Sequence, residues 1–167
     1  MDLMLIRHAE AGERDPAKYP DDGLRPITPE GRRKMVQMAG VMKKMGLRFD
    51  FLVSSPLVRA LQTAEVLAEV FEHTEGPQTS DVLGLSCTAA GIVNLLGKYP
   101  PDSAVALVGH EPSFSASAGA LIGAGRNVQI VLKKGGTIGL AFEGAPEVGT
   151  GALAFHLKPG HLKRLAK

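Results

Sequence analysis

The run Ala104-Val105-Ala106-Leu107-Val108 contains no polar residue. It is too short for a helix and reads as a strand buried on both faces. Leu3-Met4-Leu5-Ile6, near the start of the chain, has the same character. Strands of this kind belong to parallel sheets covered by helices on both sides. A histidine follows each run closely, in Arg7-His8 after the first and Gly109-His110 after the second. Ligands of open α/β sheets bind outside the carboxyl ends of the strands, so both histidines are expected where a site would form.

The intervals between these runs supply the helices. Thr28-Pro29 is a hydroxyl cap followed by proline at the first helical position. Met35, Met38, Ala39, Met42 and Met45 then make an apolar stripe that ends at Gly46. Asp50 to Ser54 reads as the next strand, and Ser55-Pro56 repeats the cap-then-proline signature. The helix after it carries Leu57, Ala60, Leu61, Ala64, Leu67, Ala68 and Phe71 on one face. Arg59 lies about 200° around that wheel from Leu57, a direction expected to face solvent. An anion at the N-terminus of the helix would give it a partner.

Further along, Thr79 to Leu83 is expected as a short strand and Ala89 to Lys98 as a helix ending before Tyr99-Pro100-Pro101. Glu111-Pro112 opens another helix, with Phe114, Ala118, Leu121 and Ile122 inward. The last third reads as strands at Val128–Leu132, Gly136–Phe142 and Gly151–Leu157, partly antiparallel, then a short helix from Gly160 to Ala166. His156 and His161 lie there without cation partners of the Arg7-His8 kind and are expected in structural or surface roles. The expected fold is a three-layer α/β/α single domain over residues 1–167, with a central, mostly parallel sheet and helices on both faces.

Composition narrows the function classes. A net charge of +2, with no Lys/Arg block longer than the three residues Arg32-Arg33-Lys34, argues against nucleic acid. Cys87 is the sole cysteine, which rules out an internal disulfide and a cysteine zinc site. The first apolar run is too short for a signal peptide and nothing approaches a membrane span, so a cytoplasmic protein with no membrane partner is expected.

Right-handed crossovers would bring the carboxyl ends of these strands to one edge, and with them Arg7-His8, Arg59 and His110. An imidazole beside cations suits phosphoryl transfer: one histidine attacks phosphorus while the charges stabilise the equatorial oxygens. The polar stretch Ala9 to Ile27 is long enough to cover such a site. It offers Arg14, Lys18 and Arg25 to an anionic partner.

On these residues the chain resembles the histidine phosphatase superfamily, which includes the cofactor-dependent phosphoglycerate mutases. Leu5-Ile6-Arg7-His8-Ala9 looks like its Arg-His-Gly signature, and Arg25-Pro26-Ile27-Thr28-Pro29-Glu30-Gly31 is similar to its loop into the first helix. Ser54-Ser55-Pro56-Leu57-Val58-Arg59-Ala60-Leu61-Gln62-Thr63-Ala64 matches the second motif, and Val108-Gly109-His110-Glu111-Pro112 the third. The small size and the lack of a large mid-chain insertion look like the SixA-type phosphohistidine phosphatase branch.

The resemblance implies a phosphoglycerate mutase-like fold. It also implies a nucleophile at His8, and a phosphate pocket of Arg7, Arg59 and His110; Arg25, from the loop, is a further candidate for binding substrate. No metal and no cofactor are implied. Ala9 departs from the usual glycine. The segment Asp81-Val82-Leu83-Gly84-Leu85-Ser86, where the family places its acidic proton donor, has no carboxylate after Asp81. Asp81 or Glu10 is left for that role.

A leaving imidazole needs less acid assistance than an alkoxide. The expected substrate is therefore phosphohistidine in a protein, with a small phosphorylated molecule (monoesterase or mutase) as the alternative. A phosphate-binding pseudoenzyme is the reading from another class.

Overall fold

The computed structural model describes residues 1–124 and 128–161. In chain order its elements are β1 (Asp2–Arg7), α1 (Pro29–Lys44), β2 (Phe51–Ser54), α2 (Val58–Phe71), β3 (Gln78–Thr79), α3 (Ala89–Leu96), β4 (Ala104–Gly109), α4 (Ser113–Leu121), β5 (Thr137–Ala141) and β6 (Ala152–Leu157). The six strands form one sheet in the order β3-β2-β4-β1-β5-β6. β1, β2, β3 and β4 are parallel, whereas β5 and β6 are antiparallel additions at one side.

Alternation along the strands sorts the core into two layers. Met4, Ile6, Leu52, Ala106 and Val108 pack with Met35, Met38 and Met42 of α1 and with Ala60, Ala64 and Leu67 of α2. Leu3, Leu5, Val53, Val105 and Leu107 face the other way, onto Ile92 and Leu96 of α3 and Phe114, Ala118 and Leu121 of α4. The stripe from Met35 to Met42 is thus core packing, whereas Met45, expected on it, is exposed. Thr28 caps α1 by accepting from the Gly31 N–H at 2.9 Å.

Register fixes the functional edge. Ile6 and Ser54 both lie level with Val108, and Arg7 lies level with Gly109. Two bonds carry the ladder one step further: the His8 N–H donates to the Gly109 carbonyl at 3.0 Å, and the Ser55 N–H to the Val108 carbonyl at 2.9 Å. The three carboxyl ends therefore share one edge, although β4, not β2, is the neighbour of β1.

Four sequence expectations need correction. Residues 128–132 form no strand: β5 occupies the free edge of β1, from Ile6↔Thr137 to Asp2↔Ala141, so no pairing position remains. The expected strand Thr79–Leu83 stops at Thr79, because β2 ends at Ser54 and the Ser80 N–H takes the Ser54 carbonyl; Asp81–Leu83 is a 3-10 turn that buries Leu83. α2 begins at Val58 with Leu57 at the cap position and no side-chain cap; the Ser55 hydroxyl, two residues earlier, accepts from the Leu57 N–H at 3.3 Å and bonds a histidine at 2.9 Å. Arg59 is 3% exposed, not solvated. The expected helix 160–166 lies largely outside the described residues. No helix among the described residues is long and apolar enough to cross a membrane.

The tightest point of the edge is Gly109. A Cβ there would overlap the ring of Phe114, which is fully buried and has nowhere to retreat. Gly109→Ala should lower the free energy of unfolding by about 1–3 kcal/mol, the usual range for overpacking. Urea denaturation measures this, and an unchanged midpoint would mean that the ring has room to move.

Candidate active site

His8 sits just beyond β1, and its imidazole is 7% exposed. Its Nδ1 lies 2.7 Å from the Ala9 carbonyl oxygen. A carbonyl can only accept, so Nδ1 carries the proton and the neutral ring presents a bare Nε2. Burial pushes the His8 pKa down to about 4; the Ala9 bond opposes that shift, while Arg59, Arg7 and Lys134 add to it. The chain around the ring is pinned as well. The Ala9 N–H donates to Thr63 Oγ1 at 2.9 Å, and that hydroxyl donates to the Arg59 carbonyl at 2.6 Å. The Gly135 N–H reaches the carbonyls of Arg7 and His8 at 3.0 and 3.1 Å.

His110 follows β4, with its ring centroid 5.2 Å from that of His8 and the planes inclined by 52°. Its Nε2 lies 2.9 Å from Ser55 Oγ, and its Nδ1 is buried without a hydrogen-bond partner. Burial pushes its pKa down to about 3, helped by His8, Arg59 and Arg7 and opposed by Asp22.

Two guanidiniums complete the edge, Arg7 half-buried and Arg59 buried. Arg7 Nη1 donates to the Leu132 carbonyl at 2.9 Å. Arg59 Nη1 donates to the Asp22 carbonyl at 2.8 Å and lies 3.4 Å from the Asp22 carboxylate. Nε of each is buried and unpartnered. Unpaired buried donors are costly. Two of them, beside two neutral imidazoles, form a cluster suited to an anion of more than one oxygen.

The other sequence candidates lie differently. Arg25 spends its guanidinium on the Asp22 carboxylate, at 2.8 and 3.1 Å, and on the Gly12 carbonyl at 2.7 Å. It fastens the 3-10 turn Asp22–Leu24 over α2. Glu10 is exposed and paired with Lys34 at 2.9 Å. Asp81 is exposed. Neither carboxylate hydrogen-bonds to His8 or His110.

Three participants escaped the sequence reading: Ser55, Asp22 and Lys134. The serine looked like a helix cap, and the aspartate lay in a loop without periodicity. Lys134 offered only the Lys-Lys-Gly-Gly composition of a tight turn. Among the described residues no His, Cys, Asp and Glu side chains cluster as metal ligands would.

Residues 3–81 match the sequence profile of the histidine phosphatase superfamily (branch 1). That span holds Arg7, His8 and Arg59 and stops before His110. An uncharacterised protein of Picosynechococcus sp. is 35% identical over 142 residues, 84% of each chain. Among solved structures, the protein histidine phosphatase SixA complexed with tungstate is similar with a TM-score of 0.81 at 18% identity, covering 97% of this chain and 99% of that one. A phosphoserine phosphatase from Entamoeba histolytica, in complex with 3-phosphoglyceric acid, gives 0.71 at 19% identity, with 96% and 98% covered.

The lowered imidazole pKa values have two measurable consequences. In the ligand-free protein, histidine ring NMR should show His8 neutral at pH 6 with its proton on Nδ1; an imidazolium titrating at 6.5 or above would contradict the geometry. Stability should also depend on pH in a fixed direction. The unfolded chain binds protons below about 6.5 that the folded imidazoles refuse until about 4 and 3. Stability is therefore unaffected by these groups above pH 6.5 and falls as pH drops through that window. Replacing both histidines by Gln should flatten the slope of urea midpoint against pH.

Proposed function

We propose that this chain, whose residues 3–81 match the histidine phosphatase superfamily profile, is a phosphatase that works through a phosphohistidine on His8 and removes the phosphoryl group of phosphohistidine in a protein. The carrying observation is the Ala9 carbonyl on His8 Nδ1, which leaves the Nε2 lone pair free in a ring kept neutral by burial. Nε2 attacks phosphorus as the bond from phosphorus to the leaving nitrogen breaks, and the departing imidazole takes a proton. Water then attacks the phosphoryl group on His8, releasing inorganic phosphate and restoring the free ring. Arg7, Arg59 and His110 hold the phosphoryl oxygens through both steps, where their charge and donors offset the charge of the transition state. Neither a metal nor a cofactor enters this scheme.

The choice of leaving group follows from the carboxylates. Glu10 is tied to Lys34, and hydrogen bonding from Arg25 holds Asp22 below the usual carboxylate range. A site with no protonated carboxyl at hand suits a phosphoramidate, whose imidazole leaves with little assistance. The similarity in fold to SixA supports the same substrate class. A small-molecule monoesterase is the second reading, supported by the similar fold of the phosphoserine phosphatase. A cytoplasmic location fits the buried, unpaired Cys87.

A substrate panel tests the reading. A phosphohistidine peptide and aryl phosphates should turn over about 10²–10⁴-fold faster than alkyl phosphates, the range that general acid catalysis usually supplies. His8→Ala should abolish all of these activities. Asp81→Asn and Glu10→Gln should cost activated substrates little. Equal rates on alkyl phosphates and phosphohistidine would instead establish the monoesterase reading.

A further inference from the structure

A groove of about 560 Å³ opens beside Arg7, between α1 and the turn that precedes β5. Its floor includes Ala9 and Met38, and its rim carries Arg33, Lys34, Lys133 and Lys134. Not all of that charge is free. Arg33 bonds Glu30 through two nitrogens, and Lys34 pairs with Glu10 and Glu30. Lys133 and Lys134 are exposed and, among the described residues, make no ion pair. Beyond the guanidinium assigned to the phosphoryl group, the groove thus holds two uncompensated cations among the described residues.

The turn that bears these lysines is built into the catalytic edge. Gly135 donates its N–H to the carbonyls of Arg7 and His8. It adopts φ +71°, and a Cβ there would overlap Met38 Cε, so only glycine allows the turn to seat this closely on α1. The Lys133-Lys134 pair is therefore held at a fixed offset from His8. Lys134 lines the groove and acts electrostatically, as a minor contributor, on both His8 and Glu10, which puts its charge within reach of both the nucleophile and the rim.

We propose that this groove receives a carboxylate carried by the substrate beside its phosphoryl group, held by Lys133 and Lys134. The inference rests on the reading of Arg7 as a phosphoryl ligand and adds a second anion to the substrate description. The carboxylate comes either from an acidic side chain flanking phosphohistidine or from a small phosphorylated acid. Charge favours this occupant: Lys133, Lys134 and Arg7 face the groove against Glu10, which Lys34 already neutralises.

Two ligand pairs test it on the full chain. 3-Phosphonopropionate and propylphosphonate differ in one carboxylate and are compared as competitive inhibitors of aryl phosphate hydrolysis. Two phosphohistidine peptides differ by Glu or Gln beside the phosphohistidine and are compared by kcat/KM. The carboxylate-bearing member should be favoured about three- to tenfold at low salt, the scale of two exposed ion pairs. The preference should shrink with ionic strength and approach one in Lys133→Ser/Lys134→Ser. Discrimination in the phosphonate pair identifies a small acid, and discrimination in the peptides alone identifies a flanking side chain.

A ratio of one in both pairs, or a ratio that survives the double substitution, overturns the proposal. Each readout is a ratio within one protein, so a general change in rate from altered charge near His8 does not imitate the effect. Peptides that are not hydrolysed while the phosphonates still discriminate would contradict the phosphohistidine reading and leave the groove assigned.

Discussion

In a parallel strand pair the hydrogen bonds repeat evenly along the ladder, and a slip of one residue turns every side chain to the opposite face. The site depends on that register between β1 and β4. With Arg7 level with Gly109, His8 and His110 both emerge beyond the last paired residues, their rings 5.2 Å apart. A slip would send Leu3 and Leu5 into the layer filled by Met4 and Ile6, and the two cores differ in shape: methionines and alanines on one side, leucines with Phe114 on the other. Core packing and the placement of the histidines are thus one constraint. Gly109 is where they meet, since its missing Cβ makes room for Phe114 and its carbonyl holds the His8 backbone.

Four basic groups at one buried edge would repel one another if all were charged. The fold resolves this by keeping the imidazoles neutral and the guanidiniums charged. Burial takes both imidazoles well below neutral pH, whereas the guanidiniums, also lowered by burial, start so much higher that they keep their protons. The outcome suits phosphoryl transfer, because a neutral imidazole is a nucleophile and a guanidinium is a durable counter-charge. Asp22 supplies limited compensation at Arg59 and is itself held by Arg25. The loop from Ala9 to Ile27 therefore shapes the electrostatics of the pocket through Asp22 and through Arg25, which holds Asp22 and acts on Arg59.

Much of this was legible in the chain. Buried strands announced themselves as apolar runs, Thr28-Pro29 marked its helix, and four motifs in order pointed to His8, Arg7, Arg59 and His110. What escaped had tertiary causes. Arg59 lies off the apolar stripe of α2, so periodicity assigned it to solvent, yet the Asp22–Leu24 turn folds down and buries it. Ser55 has the sequence of a cap, but a histidine more than fifty positions away claims its hydroxyl. Residues 128–132 have strand composition and no strand to pair with, because β5 reaches β1 first. In each case a partner distant in sequence decided between two locally acceptable conformations.

The account turns on a covalent bond between phosphorus and His8. Rapid quench of the wild-type protein during turnover, followed by peptide mapping and NMR of the phosphorylated fragment, tests it directly. The account predicts acid-labile, alkali-stable phosphate on His8, attached at Nε2, because Nδ1 is committed to the Ala9 carbonyl. Phosphate released with no label on the chain, or a label at any other residue, would contradict it.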